Sequence, residues 1–310
     1  MDRWAEYEFF IRVVEMGSLG KAAEAMKLSS ASATRHLAAL EVRLGARLVE
    51  RSTRRLSVTE IGQGFYARCK AALEEITDAE EEASQTSGLP SGTLRVTASL
   101  SLMLHHVTGL LPGFRAMYPD VKVELVAANR YYDITDNDVD VAIRTREQEP
   151  DSTLVLRHLA TTRRVLAAAP GYIARHGVPM SPQALLQHDF LGYSYHNPYE
   201  LTFERDGISC SIATSPILDA NDGMVVRNAA LAGLGILAQP MYVIYDDIVS
   251  GRLVPILLDW RLPPMSISLV YRRRKLIPAR TRVFLDYVLN DFRKAGYESK
   301  WEAALTGRAA

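Results

Sequence analysis

Apolar positions recur at helical spacing from the start of the chain. Over residues 4–15, Trp4, Tyr7, Phe10 and Val14 share one face and predict an amphipathic helix. Gly17-Ser18 stops it, and Ser18 is a suitable cap for a second helix. Residues 21–27 read as that helix, short and Ala-rich. Leu28-Ser29-Ser30 reads as a turn with capping hydroxyls, and a third helix is expected from about residue 31 to Leu44, stopped by Gly45. Helix, short helix, tight turn, helix is the helix-turn-helix order. Phe10, Val14, Leu37, Leu40 and Leu44 are its expected core. Ala22 and Ala23 are small enough for two helices to cross closely.

Over residues 47–59 the pattern changes. Leu48, Val49, Leu56 and Val58 flank the basic tip Arg51-Ser52-Thr53-Arg54-Arg55, as in a small hairpin, or wing. From 59 to about 87 the pattern is helical again. Ile61, Phe65, Cys69, Ala72, Ile76, Ala79 and Ala83 recur at spacings of three and four. So narrow an apolar stripe on a long helix predicts pairing with a partner helix. The expected dimerisation residues are Ile61, Phe65, Ala72, Ile76, Ala79 and Ala83. Residues 87–92, Ser-Gly-Leu-Pro-Ser-Gly, have a hinge composition.

Beyond the hinge, strand and helix patterns alternate. Strands are expected at 94–98, 121–127, 139–145, 165–169, 190–194, 235–239 and 266–271. Helices are expected from the first strand to about Tyr118, and at 181–187, 222–232 and 279–290. This is an α/β domain, expected to have mostly parallel sheets.

Net charge does not announce a nucleic-acid partner, because Lys+Arg and Asp+Glu number 36 each. Local charge does. Between Leu28 and Val58 stand six arginines against two glutamates, and residues 74–82 then turn acidic. Cys69 and Cys210 are far apart, have no metal-ligand spacing, and read as structural thiols of a reducing compartment. The first residues are interrupted by charges, unlike a signal peptide. No apolar run reaches the roughly 20 residues a membrane span needs. A soluble cytoplasmic protein is expected.

The first 62 residues carry Phe10, Val13-Val14, Gly17-Ser18, Ala22-Ala23, Leu28-Ser29, Leu40-Glu41, Leu44-Gly45, Leu48, Arg51, Thr59 and Gly62. At this spacing the string resembles the LysR-type transcriptional regulators. The resemblance continues through GTLRVTAS, LLPGFRAMYPDVKVEL, DVDVAIR and ALAGLGIL. It implies a winged helix-turn-helix DNA-binding domain at 1–58, a linker and dimerisation helix at 59–87, and a hinge at 88–92. Next comes a two-lobed α/β effector domain like a periplasmic binding protein at 93–300, with a tail at 301–310. Lobe I would hold about 93–163 and 266–289, and lobe II about 164–265. The chain departs from the family at Ser30-Ala31, where Gln-Pro is common, at Thr34, where Ser is common, and at Val49, where Phe is common.

The implied DNA contacts lie near the start of the third helix and on the wing. Ser32, Thr34, Arg35 and His36 sit at the helix end that enters a major groove, with Arg35 the foremost candidate. Ser29 and Ser30 suit phosphate. Arg51, Arg54 and Arg55 suit the phosphate backbone or the minor groove. One of the three has a second use open to it, pairing with Glu41 or Glu50 inside the domain, and the resemblance implies that fate for Arg51.

Ligands in such two-lobed folds bind at the carboxyl ends of strands, between the lobes. That rule nominates Ser99 and Ser101, then Asn129, Arg130 and Tyr131, then Arg144 and Thr145. Lobe II contributes Tyr193, Tyr195, Asn221 and Gln239. The arginines suit a carboxylate and the tyrosines an aromatic body, so an aromatic or carboxylated metabolite is the expected effector. No metal and no cofactor are expected. The expected partners are double-stranded promoter DNA, a second copy in a homodimer or homotetramer, the effector, and RNA polymerase; no membrane partner is expected. The protein would associate with the nucleoid through DNA.

Three rival readings are weaker. An enzyme would need a nucleophile elbow, a phosphate loop or an HExxH metal motif, and the chain has none. His105-His106 are adjacent and diverge by roughly 100° on a helix, so they make poor joint ligands. They read as a helix surface and a lobe contact. Asp136 and Asp138 sit in a polar loop without a partner base. A stand-alone solute-binding protein leaves the basic helix-turn-helix unexplained, and a non-specific nucleoid protein leaves the second domain unexplained.

Overall fold

The computed structural model describes residues 3–51, 56–84, 90–128, 139–146, 154–194, 199–273 and 277–306. The chain divides into two compact units, Met1–Gly88 and Leu89–Ala310.

The first unit opens with α1 (Arg3–Met16), α2 (Leu19–Ala25) and α3 (Ser30–Leu44). Ser18 caps α2, accepting the Lys21 amide at 3.3 Å, and Ser29 caps α3, accepting the Ser32 amide at 3.2 Å. Each hydroxyl thereby satisfies one of the donors a helix start leaves open. Gly45 ends α3 in the left-handed region, at φ 67°. Phe9, Phe10, Val13, Ala22, Ala23, Ala33, Leu37, Leu40 and Leu48 form the core. Both alanines of the α2 pair are buried. Two expected core positions differ. Val14 is only half-buried, and Leu44 is 38% exposed because it is the last residue of α3. Trp4 is half exposed; the buried stripe of α1 runs through Phe9 and Phe10 instead.

The wing pairs β1 (Val49–Arg51) with β2 (Leu56–Val58), antiparallel. Helix α4 (Glu60–Ser84) comes next. Phe65 does not simply join the expected dimer seam. Its ring lies 5.8 Å from Tyr7 and 5.7 Å from Phe10, inside the DNA-binding unit. The first turns of α4 are committed to this core, and burial pushes the Cys69 thiol pKa up. Ile61 and Ala72 are exposed, and Ile76 is half-buried. The side chains of Ala79 and Ala83 lie outside the described residues.

The second unit has two five-stranded sheets. The first orders β4 (Val121–Ala127), β3 (Gly92–Ala98), β5 (Val141–Arg146), β14 (Met265–Arg272) and β6 (Leu154–Thr162). The second orders β11 (Pro216–Ala220), β8 (Phe190–Tyr193), β12 (Ile236–Pro240), β7 (Arg164–Ala168) and β13 (Val254–Ile256). Neither is mostly parallel. In each, the first three strands pair in parallel and the last two join antiparallel. Strand β6 and the hairpin β9 (Glu200–Arg205)–β10 (Ile208–Ala213) carry less continuous apolar runs, which hide them in the sequence, whereas β13 is apolar throughout but only three residues long.

Between β3 and β4 the helix is continuous but uneven. A short α5 (Leu100–Leu102) passes through a π-helical turn (Met103–Val107) into α6 (Thr108–Met117). Helices α7 (Pro170–His176), α8 (Gly223–Leu231) and α9 (Met241–Val249) cover the second sheet, and the expected helix at 181–187 is a 3-10 turn, Pro182–Gln187. The domain does not end at 300 with a tail. Helix α10 (Ala279–Ala295) leads into α11 (Tyr297–Leu305), whose Trp301 and Leu305 are buried in the shared core. Glu298 of α11 accepts the Thr161 amide, and Glu302 pairs with Arg163 at 3.1 Å. Arg163 is the residue between β6 and β7, where the chain passes from one sheet to the other.

Candidate DNA-reading surface and effector cleft

Helix α3 is held by its buried face and leaves its first turns outward. Ser29, Ser30 and Arg35 are exposed, while Ser32, Thr34 and His36 are half-buried. Ser29 Oγ is already engaged as the cap, so phosphate there would share that oxygen. Arg35 stands exposed in the second turn of α3. The backbone of Arg51 lies in β1, but its side chain, like Arg54 and Arg55, lies outside the described residues. Glu41, a candidate partner for a wing arginine, has another use. Its Oε1 accepts the Leu48 amide at 2.8 Å and the Val49 amide at 3.1 Å.

In the second unit the nominated residues come from both sheets. Ser99 Oγ caps α5, accepting the Leu102 amide at 3.3 Å, and lies 3.2 Å from Ser101 Oγ. Ser101 is buried, and α5 adjoins α8 and α9 of the other lobe. Thr145, on β5, donates to Tyr242 Oη at 3.3 Å. Gln239, on β12, is 2% exposed, and its Nε2 is buried with no hydrogen-bond partner among the described residues. Its Oε1 would lie 3.1 Å from a Cβ on Gly223, so glycine lets the first turn of α8 close on the amide. Asp222 caps that turn, accepting the Met224 amide at 2.7 Å.

The remaining nominees are scattered. Asn221 is exposed, and Arg144 and Tyr193 are half-buried with interactions of their own. Asn129, Arg130, Tyr131 and Tyr195 lie outside the described residues, as do Asp136 and Asp138. Tyr242 is absent from the sequence-based set, because the apolar run after Pro240 gives no sign of the helix that carries it.

His106 is not a surface residue. It is 7% exposed, and neither ring nitrogen has a hydrogen-bond partner among the described residues. The rings of Tyr242, Phe292, Tyr297 and Trp301 surround it at 4.6–5.8 Å. Burial, with a smaller push from His105, lowers its pKa to about 4. Burial and Arg227 lower His105 as well, against an opposing pull from Asp246 and Asp247. Among the described residues no group of three or more His, Cys, Asp or Glu could hold a metal ion. No helix among them is long and apolar enough to cross a membrane.

A winged helix-turn-helix joined to a two-sheet ligand-binding domain defines a DNA-binding regulator. Residues 4–63 match the model for the bacterial regulatory helix-turn-helix protein, lysR family, and residues 87–293 match the LysR substrate binding domain. The chain belongs to the LysR family of transcriptional regulators, which are DNA-binding proteins and not enzymes. It is 32% identical over 287 residues to the HTH-type transcriptional regulator CrgA of Neisseria meningitidis, covering 92% of this chain and 96% of that protein. The solved structure of CrgA superposes with a TM-score of 0.61 at 32% identity, covering 93% and 98%. Full-length AphB, a virulence activator of Vibrio cholerae, superposes at 0.63 with 29% identity, covering 92% and 98%.

Proposed function

We propose that two copies pair through α4 and set two α3 helices on an inverted repeat. The half-sites would be about one helical turn apart, or a multiple of that. Further association of the second units makes a homotetramer. A small aromatic or carboxylated metabolite binds between the lobes and changes how the dimers splay, and with it the DNA bend and promoter output. No cofactor takes part. RNA polymerase is the downstream partner, and the protein resides on the nucleoid.

The observation that carries the effector reading is the unsatisfied Gln239 amide. A buried donor without a partner costs free energy, and an incoming acceptor such as a carboxylate would recover it. Ser101 and the Thr145–Tyr242 pair supply further polar groups where α5, α8 and α9 meet.

The test is selection of bound fragments from genomic DNA by the purified protein, read by sequencing. Enrichment of a short inverted repeat near a promoter supports the reading, and the neighbouring genes nominate the metabolite for thermal-shift screening. Binding that shows no enrichment and only fades with salt refutes sequence-specific reading by the unliganded protein.

A further inference from the structure

A second groove lies on lobe II, between the start of α7 and the turn that follows α8. It measures about 400 Å³, within the size range of small-molecule sites. Gly223 and Gln239 stand at the other end of α8, roughly 13 Å away at about 1.5 Å per residue, so the groove is separate from the candidate effector cleft. Two arginines line it, Arg175 of α7 and Arg252 after α9, and no acid among the described residues does. Ala169 and Leu231 give it apolar walls.

Each guanidinium is pinned by part of its fork and leaves the rest idle. Arg175 Nη2 donates to Gly233 O at 3.1 Å. Gly233 turns the chain at φ 77°, and a Cβ there would stand 3.4 Å from that nitrogen. Arg252 Nη2 meets Asp247 Oδ1 at 2.6 Å, and its Nε donates to Ser250 Oγ at 3.3 Å. Nη1 of each arginine has no hydrogen-bond or ion-pair partner among the described residues. Asp247 does not cancel the charge. It is fully buried, and Arg227 grips it a second time, at 2.5 and 2.8 Å. Arg252 and Arg227 share that single carboxylate, so the cluster keeps a net positive charge, and Arg175 adds another.

Idle N–H groups on two fixed guanidiniums that line one groove are what an oxyanion requires. Little side-chain freedom is left to lose on binding. We propose that this groove is a second ligand site, taking a small metabolite through a phosphoryl or carboxylate group, with Nη1 of Arg175 and Nη1 of Arg252 as its donors. Closing the turn after α8 and balancing Asp247 occupy the other nitrogens and leave these two unused.

The test is isothermal titration calorimetry of the full chain with inorganic phosphate and, separately, with acetate, at constant ionic strength. Saturable binding is expected, and the tighter of the two anions assigns the phosphoryl or the carboxylate class. Arg175→Gln and Arg252→Gln are each expected to weaken it about tenfold or more, the worth of one charged hydrogen bond. Gly171→Asp leaves both arginines in place. A Cβ at 171 lies 3.7 Å from Arg175 Nη1, an ordinary contact, and an acid in the first turn suits a helix. The tethered carboxylate then takes the anion's place, so this variant is expected to abolish binding with thermal unfolding unchanged or raised. Binding of neither anion, or binding that Gly171→Asp leaves at wild-type strength, overturns the proposal. So does a loss in Gln239→Ala without a loss in the groove variants, which would put the anion between the lobes. If Arg252→Gln loses cooperative unfolding, Arg175→Gln and Gly171→Asp decide by the same criteria.

Discussion

Thr145 on β5 and Tyr242 on α9 are joined hydroxyl to hydroxyl at 3.3 Å, across 97 residues of sequence and between the two lobes. A hydrogen bond of this kind is worth about 1 kcal/mol net. Thr145→Val and Tyr242→Phe are each expected to lower unfolding stability by about that much. The double variant is expected to cost less than the two losses together. Urea unfolding of all four proteins measures the coupling; strict additivity would mean the two hydroxyls do not communicate.

His106 makes stability depend on acid. Its pKa is about 4 in the folded chain, below the ordinary 6.5, so the unfolded chain binds more protons between those values. The stability from neutral His106 is complete above pH 6.5 and is lost as pH falls toward 4. At 1.36 kcal/mol per pKa unit the full loss is about 3 kcal/mol. His106→Leu is expected to flatten the stability curve across that window. A wild-type slope in the variant would assign the acid sensitivity to other groups.

Gly62→Ala is expected to destabilise the first unit by about 3 kcal/mol, the upper range for overpacking. The added carbon meets the Leu48 carbonyl, which is backbone and cannot swing aside. Thermal unfolding monitored by helical circular dichroism reads the change. Gly64→Ala on the same helix, where a Cβ meets nothing within 4 Å, is the control.

Arg35→Ala is expected to relax or abolish operator discrimination while leaving the oligomer intact. Footprinting on a selected fragment checks it, and an unchanged footprint would remove Arg35 from the reading surface.

Ile76→Glu is expected to break the α4 pair. Sedimentation velocity would show a lighter species and weaker DNA binding. An unchanged profile would move the seam off this face of the helix.

The helix-turn-helix is legible in the sequence because its signals are local. Ser18, Ser29 and Gly45 mark boundaries through their own side chains and backbone freedom, and the structure uses each as a cap. The parallel strands β3, β4 and β12 are legible from their apolar character. Strands β6, β9, β10 and β11 are not, because they alternate or lie at sheet edges, where exposure dilutes the pattern. The candidate cleft is legible only in part. Ser101 and Gln239 follow from a rule about strand ends. Tyr242 belongs through a long-range contact that no local spacing encodes. The burial of His106 is hidden for the same reason: its surroundings come from α9, α10 and α11.

Helix α11 also constrains how the second unit can move. It is tied to Thr161, the penultimate residue of one sheet's last strand, and to Arg163, the crossover residue, whose carbonyl accepts the Met241 amide at 2.8 Å. Sliding one sheet past the other would break these ties together. The C-terminal helix is thereby part of the joint between the two sheets and not an appendage of one of them.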